Sequence, residues 1–211
     1  MRTHPCCVGS GRFATFDVLR AEGAGVAGAS HAGTATIVNA PGDVPSATGG
    51  VTSFSGNAGA GSAFIRNDTG FSVGGGGAGR TCFKNNASAQ QASIDNQGGL
   101  PFPAALTAFS DDASAGNARI TSFGGKAPAV SGGFTQFFDH SGAGTASSVT
   151  AGRGVGKAFG GVLQGVGDSK PGSATIDLRS AAVAGAGGGA ASFGARARMP
   201  ATQASPCRAP K

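Results

Sequence analysis

The apolar positions of this chain fall into short alternating bursts that recur at a near-constant distance. The clearest is Ala-Gly-Ser-Ala-Phe-Ile at Ala60–Ile65, which returns at Ala32–Ile37, Ala115–Ile120 and Ala143–Ser148. Looser copies stand at Ala89–Ile94 and Pro171–Ile176. Within the copies Ala35, Ala63, Ala92, Ala118, Ala146 and Ala174 form an unbroken column. Two residues later come Ile37, Ile65, Ile94, Ile120 and Ile176, with Ser148 as the break and Val149 beside it. The residue between varies from Thr36 and Phe64 to Ser93, Arg119, Ser147 and Thr175. An outward position of a strand tolerates such a mixture. A second landmark precedes each Ile slot: Val26, Phe54, Phe83, Phe109, Phe137 and Gly165, then Phe193 on the next copy. It closes a Thr-x-Phe unit in Thr52–Phe54, Thr81–Phe83, Thr107–Phe109 and Thr135–Phe137, where alternation turns Thr and Phe to one face. Val44, Val73, Phe102, Val155 and Val183 mark a third, weaker strand, with Ala127 and then Val130 at that place in the fourth copy.

A period of about 28 residues indicates a stacked repeat architecture. The strands are short, Gly-rich turns join them, and no helical period separates them. The pattern therefore predicts an all-β parallel β-helix, or β-solenoid, of about six rungs with three short strands each. Like residues then lie on like, and each coil buries its apolar face against its neighbours. Gly33, Gly61, Gly116, Gly144 and Gly172 stand four residues before the second-strand apolar slot, with Gln90 as the exception, and predict a corner with positive φ. Asn39, Asn67 and Asn96 follow the Ile slot by two, predicting a left-handed corner and a stacked amide ladder. Residues 1–23 read as an irregular N-terminal cap, with Phe13, Phe16 and Val18 alternating. Residues 24–198 form the repeat domain, and 199–211 a Pro-rich basic tail.

Composition sharpens this picture. The chain has 211 residues, with 40 Gly, 14 Phe, no Trp or Tyr and only 12% charged residues. Disordered chains combine low hydrophobicity with high charge, which this one lacks. The net charge of +6 gathers near the ends, in Arg2, Arg12, Arg20, Arg196, Arg198, Arg208 and Lys211, rather than in a stripe. Nucleic-acid binding calls for a basic face with interleaved aromatics, so no nucleic-acid partner is expected. No run of apolar residues is long enough for a transmembrane helix. Met1–Ser10 lacks the apolar core of an export signal. Cys6, Cys7, Cys82 and Cys207 match no zinc spacing and read as incidental thiols, with a Cys6 or Cys7 to Cys207 bridge as the alternative.

The successions GGVTSFSGNAGAGSAFIRN (Gly49–Asn67) and LTAFSDDASAGNARI (Leu106–Ile120) resemble the Gly-rich autotransporter-associated β-strand repeats of autotransporter passenger domains. The resemblance spans about Ala24–Phe193. It implies a right-handed parallel β-helix, displayed on or released from a bacterial cell surface, in a family with many adhesins. It supplies no catalytic residues. Neither an export signal nor a C-terminal barrel is expected from these residues, which is a departure from that family's pattern.

Candidate chemistry centres on one row. Asn57, Asn86, Asp112, His140 and Asp168 each follow the Phe slot by three residues. Stacking would bring Asp112, His140 and Asp168 together as an acid–His–acid cluster for general acid/base work or a weak metal site. Flanking carboxylates would raise the His140 pKa and hold it charged. The competing reading is a polar turn row in which Asn and Asp shape corners. Gly74–Gly77 and Gly152–Gly154 lack the Lys-Ser/Thr and the strand–helix context of a phosphate loop. The outward row from Thr36 to Thr175 is too mixed to order ice-like water. The expectation is a non-enzymatic structural or adhesive solenoid, with no catalytic, cofactor or metal residue assigned. Its expected partners are surface glycans or proteins, or further copies end to end. The alternative is a carbohydrate-binding or carbohydrate-active β-helix that uses the Asp112/His140/Asp168 row.

Overall fold

The computed structural model describes residues 15–18, 24–69, 76–99, 104–150 and 156–194. Its described elements are all strands. One set follows the Ala-x-Ile slots: β1 (Thr15–Val18), β3 (Thr36–Asn39), β5 (Phe64–Asn67), β7 (Ser93–Asn96), β9 (Arg119–Ser122), β11 (Ser147–Thr150) and β13 (Thr175–Leu178). The other follows the Thr-x-Phe slots: β2 (Ala24–Val26), β4 (Val51–Phe54), β6 (Arg80–Phe83), β8 (Leu106–Phe109), β10 (Phe134–Phe137), β12 (Val162–Val166) and β14 (Ala190–Gly194). Each set is a seven-stranded parallel sheet, and the chain visits the two sheets alternately. Six interstrand steps of about 4.8 Å give a stack about 29 Å tall. The fold is a β-solenoid.

Register follows the sequence columns. Ile37 pairs with Ile65, Ile65 with Ile94, Ile94 with Ile120, Ile120 with Ser148 and Ser148 with Ile176. Thr81 pairs with Thr52 and Thr107, and Thr107 with Thr135. The two inner faces bury the Phe, Ile and Ala columns in one core. The rings of Phe54, Phe83, Phe109 and Phe137 stack with centroids 4.7 to 4.8 Å apart and planes within 9°. Parallel strands set that spacing, and it also suits offset ring contact. At Gly165 the column lacks a ring. Phe193 leans in from the next coil and meets Phe137 at 6.2 Å with a 31° tilt.

Two expectations change. The third strand is not formed where it was expected. Val44 and Val183 sit in turns, 59% and 40% exposed. Ala127 is likewise in a turn, while Val130, just after it, is buried. Val73, Phe102 and Val155 lie outside the described residues. Instead, a third side runs between the two sheets as single bridges linking His31, Gly59, Ser88, Ser114, Gly142 and Lys170 in turn. The first sheet also starts before residue 24, since β1 pairs with β3 and puts Phe16 at the Ile37 position. The rest of the expected 1–23 cap and the 199–211 tail lie outside the described residues.

Candidate functional site

The corner after each Thr-x-Phe strand carries the row singled out in the sequence. Gly28, Gly56, Asn85, Asp111, Asp139 and Gly167 occupy one position of that corner with φ between 55° and 73°. The side chains there serve the backbone of the preceding coil. Asp139 accepts from the Asp111 N–H (3.2 Å), Asp111 from the Asn85 N–H (2.8 Å), and Asn85 from the Gly56 N–H (3.2 Å). One residue further on, His140 and Asp168 approach to 3.9 Å on successive coils, with side chains 66% and 72% exposed. Asp112 holds the equivalent place one coil earlier, and its carboxylate joins no ion pair among the described residues. The structure therefore assembles two of the three expected residues, on open surface. Among the described residues, no three His, Cys, Asp or Glu side chains gather as metal ligands would.

The next corner shapes a shallow groove of about 420 Å³ lined by Ser62, Ser88, Gln90, Gln91 and Asn117 among others. The expected positive φ is present at Gly33, Gly61, Gly116, Gly144 and Gly172, and Gln90 adopts it too, at 51°. Gln90 accepts from the Gly61 N–H at 2.8 Å. The Gln91 carbonyl accepts from the Ser62 hydroxyl at 3.4 Å, and Asn117 accepts from the Thr145 hydroxyl.

Inside, polar columns replace part of the oily core. Asn39, Asn67 and Asn96 are fully buried at the ends of β3, β5 and β7. Their amides form the expected ladder: Asn39 donates to Asn67 (2.7 Å) and Asn67 to Asn96 (2.8 Å). They are not at positive φ, which corrects the left-handed corner expected for them. Thr52, Thr81 and Thr107, turned inward as alternation required, donate across the core to Asn39, Asn67 and Asn96 at 2.8 to 2.9 Å. Every buried amide thus finds partners, as burial demands.

Two features escaped the sequence reading. Asp95, on an outward position of β7, has its carboxyl raised by burial, while the nearby Arg119 and Arg66 and a Thr121 hydrogen bond pull it down. Cys82 is buried and disulfide-bonded, which corrects its reading as an incidental thiol. The other three cysteines lie outside the described residues. Cys82 lies mid-chain with no cysteine near it in the sequence, so spacing gave no sign of a bridge. The outward position of Cys82 on a strand was the signal available.

The fold and these surface rows define a two-sheeted parallel β-solenoid repeat protein. No family model, curated protein or solved structure matches the chain.

Proposed function

We propose that this chain is a non-enzymatic structural element, a stiff solenoid stalk or adhesive surface of a secreted or surface-displayed bacterial repeat protein of the autotransporter passenger type. The supporting observation is the repeated interior: Phe, Ile and Ala columns run through most of the coils, with an Asn–Thr ladder in the coils of Asn39, Asn67 and Asn96. Such a stack resists bending because each coil is hydrogen-bonded along its length to its neighbours. The turn rows support the same reading, since the side chains of Asn85, Asp111 and Asp139 are engaged in closing corners. Its partners would be host or cell-surface glycans or proteins, met by the outward turn rows.

The approach of His140 to Asp168 favours a second reading, a carbohydrate-binding or carbohydrate-active β-helix. One experiment separates them. The full chain and its His140→Ala variant are immobilised, probed against a glycan array and incubated with polysaccharides. The structural reading expects no turnover from either protein, and any glycan binding to survive the substitution. Cleavage or binding lost in His140→Ala overturns it in favour of the second reading.

A further inference from the structure

Packing dictates what repeats inside a solenoid, and the stacking of coils leaves the outside free. One outward row repeats all the same. Thr34, Ser62, Gln91, Asn117, Thr145 and Ser173 each stand one residue after the positive-φ corner. All six are exposed and polar, and none is charged. Turn chemistry does not require this. The row three residues past the Phe slot also lies in turns, and it takes Asp112, His140 and Asp168. Strands stack about 4.8 Å apart, so the row is a track of hydrogen-bonding side chains about 24 Å long.

The middle of the track is concave, since Ser62, Gln91 and Asn117 line the groove together with Ser88 and Gln90. The amides there use their oxygens within the protein. Gln90 accepts from the Gly61 N–H at 2.8 Å. That bond replaces a missing hydroxyl: Gln90 and Gly116 donate their own N–H groups to Ser88 and Ser114 two residues back, where Gly61 has only Gly59. Gln91 and Asn117 accept from the hydroxyls of Ser62 and Thr145. Among the described residues, Nε2 of Gln90, Nε2 of Gln91 and Nδ2 of Asn117 then donate to no protein group. The described lining of the groove holds no Lys, Arg, Asp or Glu.

We propose that this track binds an extended, uncharged glycan chain lying along the solenoid axis, whose hydroxyl or acetamido oxygens accept from the amides of Gln90, Gln91 and Asn117. The proposal rests on the adhesive reading above and gives it a site. Hydroxyls both donate and accept, so they match a row of mixed amides and hydroxyls. Nucleic acids and sulfated chains call for Lys and Arg along the contact, which this groove does not supply. A β-linked pyranose residue advances by about one interstrand step, so sugar after sugar meets coil after coil. The His140–Asp168 pair lies on a different corner and takes no part.

The test uses the full chain with linear β-linked hexasaccharides of glucose, mannose and N-acetylglucosamine, and with heparin and polygalacturonate as anionic probes. Calorimetry is expected to show binding of at least one neutral hexasaccharide, tighter than its disaccharide and insensitive to salt. Gln91→Ala combined with Asn117→Ala, both at exposed positions, is expected to weaken that binding about tenfold at an unchanged melting temperature, as the loss of two ordinary hydrogen bonds would. In the wild-type chain, titration is expected to move the amide resonances of Ser62, Gln91 and Asn117 and to leave those of His140 and Asp168 in place. Binding that survives the double substitution, or resonances that move only at His140 and Asp168, overturns the proposal and leaves glycan recognition standing. Binding confined to the anionic probes and abolished by salt overturns it too. No binding of any probe overturns it together with the glycan partner of the adhesive reading, and leaves the stalk.

Discussion

At the scale of single residues, the molecule is most informative where a column is broken. Ser148 stands in the Ile column, 3% exposed, and its hydroxyl has no hydrogen-bond partner. Thr150 is buried with an unpaired hydroxyl for a traceable reason. In the coils before it, a threonine faces the polar slot across the core, and the last of these, Thr135, meets Ser122 at 2.9 Å. In the next coil Leu163 replaces the threonine, because it is the residue in register with Thr135. An unmade buried hydrogen bond costs more than the bond returns when made. Ser148→Val is therefore expected to stabilise the fold by about 2 kcal/mol, through removal of that hydroxyl and added apolar burial; urea unfolding midpoints measure it, and an unchanged or lower midpoint counts against this account. Asp95 makes a prediction of opposite sense with pH. Burial raises its carboxyl, so the native state holds the proton more tightly than the unfolded chain. Its contribution to stability then falls as pH rises from the ordinary carboxylate value through the raised one. Asp95→Asn should flatten that limb of the stability curve and raise the melting temperature at pH 7 relative to wild type, measured by calorimetry across pH 3 to 8. A larger pH dependence in the variant would contradict the assignment.

At the scale of elements, strands and their register were legible because alternation and period agreed. Thr-x-Phe and Ala-x-Ile each place the same side chains inward in every coil, and the pairings of Ile37 with Ile65 and of Phe54 with Phe83 follow directly. The third strand misled because branched apolar residues at regular spacing look like strand wherever they occur. Turn chemistry decided otherwise: Pro45 follows Val44 and Pro128 follows Ala127, and proline cannot donate to an interior ladder. Ser46 and Ala129 beside them hold φ of 65° and 60°. The real third side, built from His31, Gly59, Ser88, Ser114, Gly142 and Lys170, has no common chemistry to announce it. The ring stack was legible down to its gap. A Cβ at Gly165 would lie 2.1 Å from the Phe193 ring, so that ring fills the space a side chain would take. Phe193→Ala should destabilise by about 2–3 kcal/mol. Adding Gly165→Phe to that variant should restore most of the loss, since the new ring continues the 4.7 Å stack of its predecessors. A double variant no more stable than Phe193→Ala, by thermal melt, would show that the gap is not a missing ring.

At the scale of the whole molecule, the last described coil differs from the middle of the stack. Inner positions of β5 and β7 are closed, whereas β13 is open along its length and Leu178 is 50% exposed. Exposed edge strands invite pairing with another chain. A contact that joins the last coil of one copy to the first of another is head-to-tail and does not close on itself. Sedimentation velocity is expected to show species that grow with protein concentration, and Leu178→Lys to suppress them; a clean monomer at high concentration refutes end-to-end pairing. None of the function was as legible as the fold, for a physical reason. Repetition fixes what points inward, whereas recognition depends on the outward residues, which this architecture leaves free to vary.

The corner bonds of Asn85, Asp111 and Asp139 all run in one sense, from a later side chain back to an earlier N–H. The Asn39–Asn67–Asn96 amides obey the same order, with each acceptor arriving after its donor. Each of these coils has part of its hydrogen bonding completed by the coil that follows it in the chain, and the last described coil, β13 and β14, is the most open of the stack.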